Sequence, residues 1–307
     1  MRALTAGETM ALLDRHGEGE IEHESTFTLR VAGAESNFAI ALTRLGVAVT
    51  WISRLGGDRL GDVVAGTLAR EGVDLRYVVR DPRAPTGLFL KWRAAGRGGV
   101  VYYRRGSAAS GLSPADIPAH ALEGVDLVHL TGITMALSEG ARDLVVETAQ
   151  RARRLAIPVL FDPNWRAPLW EGPEEAAEAQ REVLPFVDWY VCGREEGLLL
   201  FEAEAAEEVA AAALDAGARN VIVRLGARGA LVREGSGFVE VPPPPVDAVV
   251  DEVGAGDGFD AGFAYGLLRG RRPAECALIG NRVAAAALAG TGDWETYPRL
   301  DELTDRE

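Results

Sequence analysis

Residues 251 to 263 read Asp251-Glu252-Val253-Gly254-Ala255-Gly256-Asp257-Gly258-Phe259-Asp260-Ala261-Gly262-Phe263. Two glycines flank an alanine, and the aspartate that follows opens an apolar helix of small residues. The first N–H groups of a helix are free, and with the helix dipole they can hold a phosphate. Asp257 would place a base beside such a site. The alternative is an aspartate that only caps a helix after a glycine turn, and this segment alone leaves both interpretations open.

The composition is that of an ordinary globular protein. The chain has 307 residues, of which 48% are hydrophobic and 25% charged, so it can bury a large core. It contains no run of about 18 apolar residues and no N-terminal signal-peptide pattern, which predicts a cytoplasmic protein. The net charge of −14 argues against nucleic acid and membranes as partners. Cys192 and Cys276 form no CxxC or Cys/His cluster, which argues against a disulfide framework or a zinc site.

The N-terminal part alternates strands and helices, which predicts a parallel sheet with helices on its faces. Strands are expected at 4–7, 11–14, 27–31 and 47–53. The segment Ala32-Gly33-Ala34-Glu35-Ser36-Asn37-Phe38 is predicted to form a turn that leads into a helix over 39–46. Gly33 and Asn37 in this turn can either hold a polar ligand or only cap the helix.

A β-hairpin is predicted between residues 86 and 105. Its strands cover 86–93 and 100–105 and flank a glycine-rich turn at 95–99. Together with the strands near residues 12 and 28 it would form a small second sheet. The two-residue period places Tyr102 and Arg104 on one face of the second strand, where they either contact a ligand or guard an exposed edge.

Polar residues follow two of the buried strands that are predicted further along the chain, at 125–130, 157–161, 189–192 and 220–224. Asp162-Pro163-Asn164-Trp165-Arg166 follows one, and Gly193-Arg194-Glu195-Glu196 follows the next. Ligands of open α/β sheets bind at this end of the strands. Asp162 and Asn164 can orient metal-bound water and Arg166 can neutralise anionic oxygens, whereas the alternative is a structural turn.

These features together indicate phosphoryl transfer. That reaction needs a base at the acceptor hydroxyl, positive groups around the phosphate and acidic groups for Mg²⁺. No Gly-x4-Gly-Lys-Ser/Thr loop and no His-Arg-Asp/Asp-Phe-Gly set occurs, which excludes those two nucleotide-binding designs. A dinucleotide-dependent oxidoreductase is disfavoured because the first strand is not followed by Gly-x-Gly-x-x-Gly. A catalytically silent sugar-binding protein is disfavoured because Asp257 and its glycines are intact.

The sequence closely resembles the PfkB/ribokinase family of carbohydrate kinases from Gly7 to about Asp293. The C-terminal signature of the family appears as Asp251-x-x-Gly254-Ala255-Gly256-Asp257. The N-terminal counterpart is Gly33-Ala34-Glu35-Ser36-Asn37-Phe38-Ala39, followed by Leu45-Gly46 and Gly56-x-Asp58-x-x-Gly61.

The resemblance implies an α/β fold, the ribokinase-like three-layer αβα sandwich with a small β-sheet lid. One domain would span residues 1–307, with lid strands from about 11–31 and 86–105. ATP would be the phosphoryl donor and Mg²⁺ a cofactor, and a monovalent cation is a further candidate. The lid strands would also pair between subunits, which implies a homo-oligomer.

The resemblance also assigns roles to individual residues, both within the two signatures and outside them. Asp257 would be the base, and the backbone N–H groups of Gly254, Ala255 and Gly256 would form the anion hole, assisted by Arg166. Glu196 would act on Mg²⁺ through water, although Gly193 stands where the family's Asn-x-x-Glu motif has asparagine. The nucleotide would contact a set of residues comprising Arg224, Gly226, Gly229, Gly254 and Gly256.

Within the family, the sequence looks most like 2-keto-3-deoxygluconate kinases, which phosphorylate a terminal hydroxyl. The substrate set implied by position comprises Gly33, Asn37, Phe89, Tyr102, Arg104, Arg166, Asp257 and Asp293. Phe89 stands where that subgroup often has tyrosine. Asp14 matches the aspartate with which ribokinase-like and fructokinase-like members hold ring hydroxyls. A fructokinase, or another ketose or nucleoside kinase, therefore stays open as the alternative.

Overall fold

The computed structural model describes residues 1–94, 99–234, 237–246 and 248–304. The strands, in chain order, are β1 Arg2–Ala6, β2 Met10–Glu18, β3 Phe27–Ala32, β4 Ala48–Ile52, β5 Arg54–Gly56, β6 Val79–Asp81, β7 Leu88–Arg93, β8 Gly99–Tyr103, β9 Leu127–Thr131, β10 Val159–Asp162, β11 Trp189–Gly193, β12 Asn220–Arg224, β13 Ala230–Glu234 and β14 Gly237–Val241. The α-helices are α1 Ala34–Arg44, α2 Arg59–Arg70, α3 Gly132–Met135, α4 Glu139–Arg154, α5 Pro173–Val183, α6 Arg194–Leu200, α7 Ala206–Asp215, α8 Ala255–Leu268, α9 Pro273–Ala287 and α10 Leu300–Thr304.

The main sheet has eight strands in the order β14-β13-β12-β11-β10-β9-β1-β4. The strands from β12 to β4 in this order are parallel, and β13 and β14 extend the sheet as antiparallel strands. Parallel strands are covered on both faces and therefore need side chains that are apolar in both directions. In β9, Leu127 belongs to one core while Val128 and Leu130 belong to the other.

Helices cover both faces of the main sheet. On one face α4 and α7 pack through buried residues such as Leu144 and Val209. On the other face α1, α8 and α9 pack through residues such as Phe38, Phe263 and Val283. The predicted α/β sandwich is confirmed, and the first turns of α1 and α8 lie on the same side of the sheet.

The predicted second sheet is also confirmed. It has four strands in the order β3-β2-β7-β8, and we call it the lid. In its register Leu12 is paired with Phe89, and Phe89 with Tyr102, so these side chains share one face of the lid. The turn predicted at 95–99 lies outside the described residues except for Gly99.

Two local predictions differ from the structure. The turn expected over 32–38 is already helical, because α1 begins at Ala34. Gly33 is extended and its carbonyl accepts the first helical bond, from the N–H of Asn37 at 2.8 Å. The charged sequence after Leu300 predicts an end of the chain that frays, but Leu300–Thr304 form α10.

Glu35, in the first turn of α1, ties that helix to the sheet. Its Oε1 accepts hydrogen bonds from the hydroxyls of Thr131, at the end of β9, and Thr134, in α3. The side chain is buried. No helix in the described part of the chain has the length and apolarity to cross a membrane.

Candidate active site

The first turn of α8 presents free backbone donors. Gly254, which precedes the helix, has φ +82°, a left-handed conformation that favours glycine. A Cβ on Gly254 would lie 1.8 Å from the carbonyl oxygen of Asp293, so the backbones also approach too closely for any side chain. Among the described residues, the N–H groups of Gly254 and Gly256 have no hydrogen-bond acceptor, while that of Ala255 reaches Glu252 O at 3.4 Å. The turn therefore fits an anion such as a phosphate.

Asp257 lies on this turn between two amide side chains. Its Oδ2 accepts from Asn37 Nδ2 at 2.8 Å, and its Oδ1 accepts from Asn164 Nδ2 at 3.2 Å. Burial raises the pKa of Asp257 to about 6, against the opposing effects of the Asn37 hydrogen bond and the Arg166 charge. A carboxylate held on both oxygens, with a pKa near the working pH, is suited to accept a proton.

The turn after β10 orients Asn164. Its backbone N–H donates to Asp162 Oδ1 at 2.8 Å, and it adopts φ +39°. Its side-chain Oδ1 is buried and has no partner among the described residues. The segment predicted from the Asp-Pro-Asn pattern thus delivers an amide to Asp257, although its metal-water role stays a prediction.

Arg166 stands two residues after Asn164. It is exposed, and its guanidinium makes no hydrogen bond or ion pair with the residues that the structure describes. Its charge nevertheless lowers the pKa of Asp257. A free cation near the predicted base is available for an anionic group of a ligand.

Arg224, which was predicted to line the nucleotide site, is the centre of a buried ion cluster. Its Nη2 lies 3.0 Å from Asp162 Oδ2 and 3.2 Å from Glu196 Oε1, and its Nη1 lies 3.1 Å from Asp260 Oδ1. A Cβ on Gly256 would lie 2.9 Å from this Nη1. The guanidinium therefore packs against the backbone of the glycine turn at Gly256. The contact of Arg224 with the nucleotide stays a prediction.

Asp260 was not selected from the sequence. It is buried, and burial raises its pKa well above the ordinary value of an aspartate. His129 Nε2 lies 4.0 Å from its Oδ2, and the His129 ring stacks on Phe38. A signal existed, because Asp260 stands three residues after Asp257 in an otherwise apolar helix and so shares its face.

Glu196, the predicted metal residue, has both carboxylate oxygens hydrogen-bonded. Oε1 accepts from the N–H of Gly193 at the start of α6, and Oε2 accepts from the N–H of Trp165 at 2.9 Å. Burial, followed by the nearby Asp162, raises its pKa. No group of three or more His, Cys, Asp or Glu side chains in the described ranges can hold a metal directly. That Glu196 acts on Mg²⁺ through water stays a prediction.

The lid carries the second part of the predicted substrate set. The rings of Phe89 and Tyr102 lie 5.4 Å apart, and the Arg104 guanidinium lies 5.7 Å from the Tyr102 ring. Arg104 Nε also donates at 2.7 Å to Glu8 Oε2, a fully buried carboxylate that receives a second bond from Ser107. Sequence reasoning missed Glu8, which neutralises the charge of Arg104.

Gly33 and Asp293 occupy tightly packed backbone positions. A Cβ on Gly33 would lie 2.4 Å from the carbonyl of Glu8, so glycine is needed there for close approach. Asp293 is buried, which raises the pKa of its carboxyl to about 7, while Lys91 opposes this shift from 3.8 Å. Lys91 is a second residue that the sequence did not single out.

Two glycines predicted to line the nucleotide site lie in the turn between β12 and β13. Gly226 has φ +59° with open space around it, and Gly229 has φ +89°. A Cβ on Gly229 would lie 2.0 Å from Val241 O, so the hairpin itself requires this glycine. The open space at Gly226 leaves room for a flat ligand.

Comparison with known proteins places the chain in a family. The pattern of the pfkB family of carbohydrate kinases matches residues 2–299. The chain belongs to this family. A 2-dehydro-3-deoxygluconokinase of Bacillus subtilis is 37% identical to this kinase over 305 residues, which cover 98% of the chain and 94% of the relative. One from Thermoproteus tenax is 33% identical over 303 residues, covering 97% and 92%.

A solved structure supports the same placement of the kinase. A putative ribokinase II from E. coli, in complex with ATP and Mg²⁺, has a TM-score of 0.89 and 27% identity. The match covers 99% of this kinase and 98% of that chain. The ribokinase-like fold and the carbohydrate kinase class that the sequence predicted are confirmed.

Proposed function

We propose that this carbohydrate kinase phosphorylates the terminal hydroxyl of 2-keto-3-deoxygluconate, with ATP as donor and Mg²⁺ as cofactor. The names of the two relatives support this sugar acid. The observation that carries the proposal is Asp257, held by Asn37 and Asn164 at the start of a helix with free N–H groups.

The role of Asp257 follows from its environment. The two amides fix the carboxylate, and burial keeps its pKa at about 6, so the group is ionised but still basic at neutral pH. It accepts the proton of the sugar hydroxyl as that oxygen attacks. The free N–H groups of Gly254 and Gly256 stabilise the negative charge that develops on the transferred group.

The residues present at the site are suited to bind ATP and Mg²⁺. ATP supplies the phosphoryl group, and Mg²⁺ neutralises phosphate charge. Gly226 offers open space for the nucleotide, with Gly229 shaping the same turn, and the carboxylate of Glu196 would hold the metal through water. A requirement for a monovalent cation is tested by comparing the activity in a potassium salt with the activity in the salt of a bulky organic cation.

Recognition of the substrate carboxylate falls to two arginines. Arg166 has no counter-ion among the described residues and supplies a full charge. Arg104 is paired with Glu8, which neutralises its charge. Its main contribution is therefore a set of oriented N–H donors beside the Tyr102 ring. Phe89 and Tyr102 would cover the carbon chain, and Gly33 and Asp293 would contact hydroxyls.

The alternative of a fructokinase or other ketose or nucleoside kinase rested on Asp14. In the structure Asp14 Oδ1 lies 3.3 Å from Arg93 and Oδ2 lies 3.3 Å from Arg30. The carboxylate is thus engaged on both oxygens, and this contact does not favour the alternative.

A substrate panel tests the proposal. ATP consumption is measured with 2-keto-3-deoxygluconate, its C4 epimer, fructose, ribose and a nucleoside, and NMR locates the phosphate in the product. We expect the highest kcat/KM with the keto-deoxy acids and phosphate on the terminal oxygen. A higher kcat/KM with fructose or a nucleoside would overturn the assignment.

We also propose that two copies pair through the outer face of the lid. Leu29, Leu13, Leu90 and Val101 are neighbours in one row across its four strands. Leu29 is 43% and Val101 41% exposed, an apolar face that a second copy would cover. Light scattering should show an oligomer that Leu29→Glu dissociates, whereas Val239→Glu on β14 leaves it intact. A monomeric wild type would refute this pairing.

A further inference from the structure

Two cationic side chains of the lid contact one carboxylate that lies outside the lid. Lys91 Nζ lies 2.6 Å from Asp251 Oδ2, and Arg93 Nη2 lies 2.8 Å from the same oxygen. Lys91 and Asp251 each have a side chain that is only 8% exposed. The two-residue spacing along β7 puts both cations on the face of the lid that carries Phe89. A lysine that is buried on a lid strand needs a counter-ion, because an unpaired buried charge is costly. Asp251 supplies this counter-ion.

Asp251 connects this ion pair to the glycine turn. While Oδ2 binds the lid cations, Oδ1 accepts the N–H of Val253 at 3.2 Å. Val253 immediately precedes Gly254, whose left-handed conformation directs the free N–H groups of α8. The position of the Asp251 carboxylate therefore affects the shape of that turn.

A second contact reaches the same glycine from the other side. Lys91 Nζ lies 3.8 Å from Asp293 Oδ1, and the carbonyl of Asp293 packs against Gly254. Asp293 also feels the negative charges of Asp257, Glu295 and Asp251. Without the lid cations these carboxylates repel one another around the turn, so the contacts of Lys91 and Arg93 stabilise the arrangement seen here.

We propose that Lys91, assisted by Arg93, is a positioning residue that couples lid closure over the sugar to formation of the anion hole. The lid brings the cations to Asp251, and Asp251 holds the turn through Val253. The inference rests on the proposed role of the 254–256 backbone. It assigns to the lid a part in the chemical step in addition to covering the substrate.

Lys91→Met, Lys91→Arg and Arg105→Met test this coupling. Arg105 is an exposed residue just after β8 and serves as the charge-matched control. We expect Lys91→Met to lower kcat by roughly 10- to 100-fold, with the KM for ATP unchanged, since anion-hole donors act in the transition state. Lys91→Arg should recover much of the loss, and Arg105→Met should retain wild-type kcat.

A double-mutant cycle with Asp251→Asn separates coupling from general packing. If the two side chains act as one unit, Lys91→Met/Asp251→Asn loses no more kcat than the worse single variant. Losses that multiply, or a wild-type kcat in Lys91→Met, would overturn the inference. Arg93→Met, whose side chain is 32% exposed, gives the same readout if Lys91→Met does not fold.

The same assay distinguishes this inference from the proposed function. An inactive Asp257→Asn beside a fully active Lys91→Met would overturn only the coupling. An active Asp257→Asn would overturn the assigned base and, with it, the proposed function.

Discussion

Asn37 Nδ2 donates a 2.8 Å hydrogen bond to Asp257 Oδ2 and so joins the first turn of α1 to the first turn of α8 across 220 positions of the chain. Each partner belongs to one of the two signatures that identify the family. Their contact joins the two signatures at one point, because one supplies the proposed base and the other a donor that favours its ionised form.

The Asn37 contact predicts a pH effect. Because burial raises the pKa of Asp257 to about 6, the protonated and inactive form accumulates below that pH, and kcat/KM falls there. Asn37→Ala removes a bond that lowers this pKa, so the acid limb of the profile should move to higher pH by roughly one unit. Ser36→Ala is the control, since its hydroxyl bonds the Gly33 carbonyl instead. An unmoved limb in Asn37→Ala would argue against Asp257 as the titrating group.

Gly254 and Gly270 separate backbone strain from loss of the anion hole. Both have positive φ, but only a Cβ on Gly254 meets another atom, the Asp293 carbonyl. Gly270→Ala should destabilise the fold by on the order of 1 kcal/mol and keep kcat. Gly254→Ala should destabilise more and also lose most turnover, as measured by urea unfolding and steady-state kinetics. Equal turnover in the two variants would contradict the role of the turn.

Arg104 and Glu8 test carboxylate recognition apart from stability. Arg104→Gln leaves the buried Glu8 without its counter-ion, which should cost about 3 kcal/mol in unfolding free energy. Adding Glu8→Gln should restore most of that stability. Both variants should show a higher KM for the keto-deoxy acid than the wild type, with the KM for fructose little changed. Equal changes for the two sugars would mean that Arg104 does not contact the carboxylate.

Glu196 and Glu195 form a matched pair for the metal prediction. Glu196 is buried beside Arg224, whereas the Glu195 side chain is 86% exposed and paired with Arg194. Glu196→Gln should raise the Mg²⁺ concentration needed for half-maximal activity, because it removes the charge that would hold metal-bound water. Glu195→Gln should follow the wild-type Mg²⁺ curve. Identical curves for both would remove Glu196 from the metal site.

The sequence was sufficient for the layers of the fold and for the position of Asp257 at the start of α8. Apolar strands of regular spacing predicted the main sheet, and alternating residues in 86–105 predicted the lid. The glycines at 254 and 256 and the aspartate at 257 predicted the helix start, because glycine permits the left-handed backbone found at Gly254 and an acidic residue suits the first turn of a helix. These features depend on neighbours in sequence, so a single chain reveals them.

The charge pairs around the site were beyond the reach of sequence patterns. Lys91 and Asp251 are 160 residues apart, and Arg104 and Glu8 are 96 apart. No local spacing relates such partners, since the fold alone brings them together. Arg224 was placed on the correct strand, but its three carboxylate partners come from β10, α6 and α8. Thus the sequence predicted the strand or helix on which these residues stand, but not what each one contacts.

The most direct measurement is turnover of 2-keto-3-deoxygluconate by the wild type, Asp257→Asn and Asp257→Ala at saturating ATP and Mg²⁺, with ATP affinity measured separately. The proposed mechanism predicts phosphorylation at the terminal hydroxyl by the wild type. It also predicts a loss of about 10²- to 10⁴-fold in kcat for both variants, with ATP affinity retained, since only the proton acceptor is removed. A variant that turns over at the wild-type rate, or a wild type that leaves this sugar acid unphosphorylated, would contradict it.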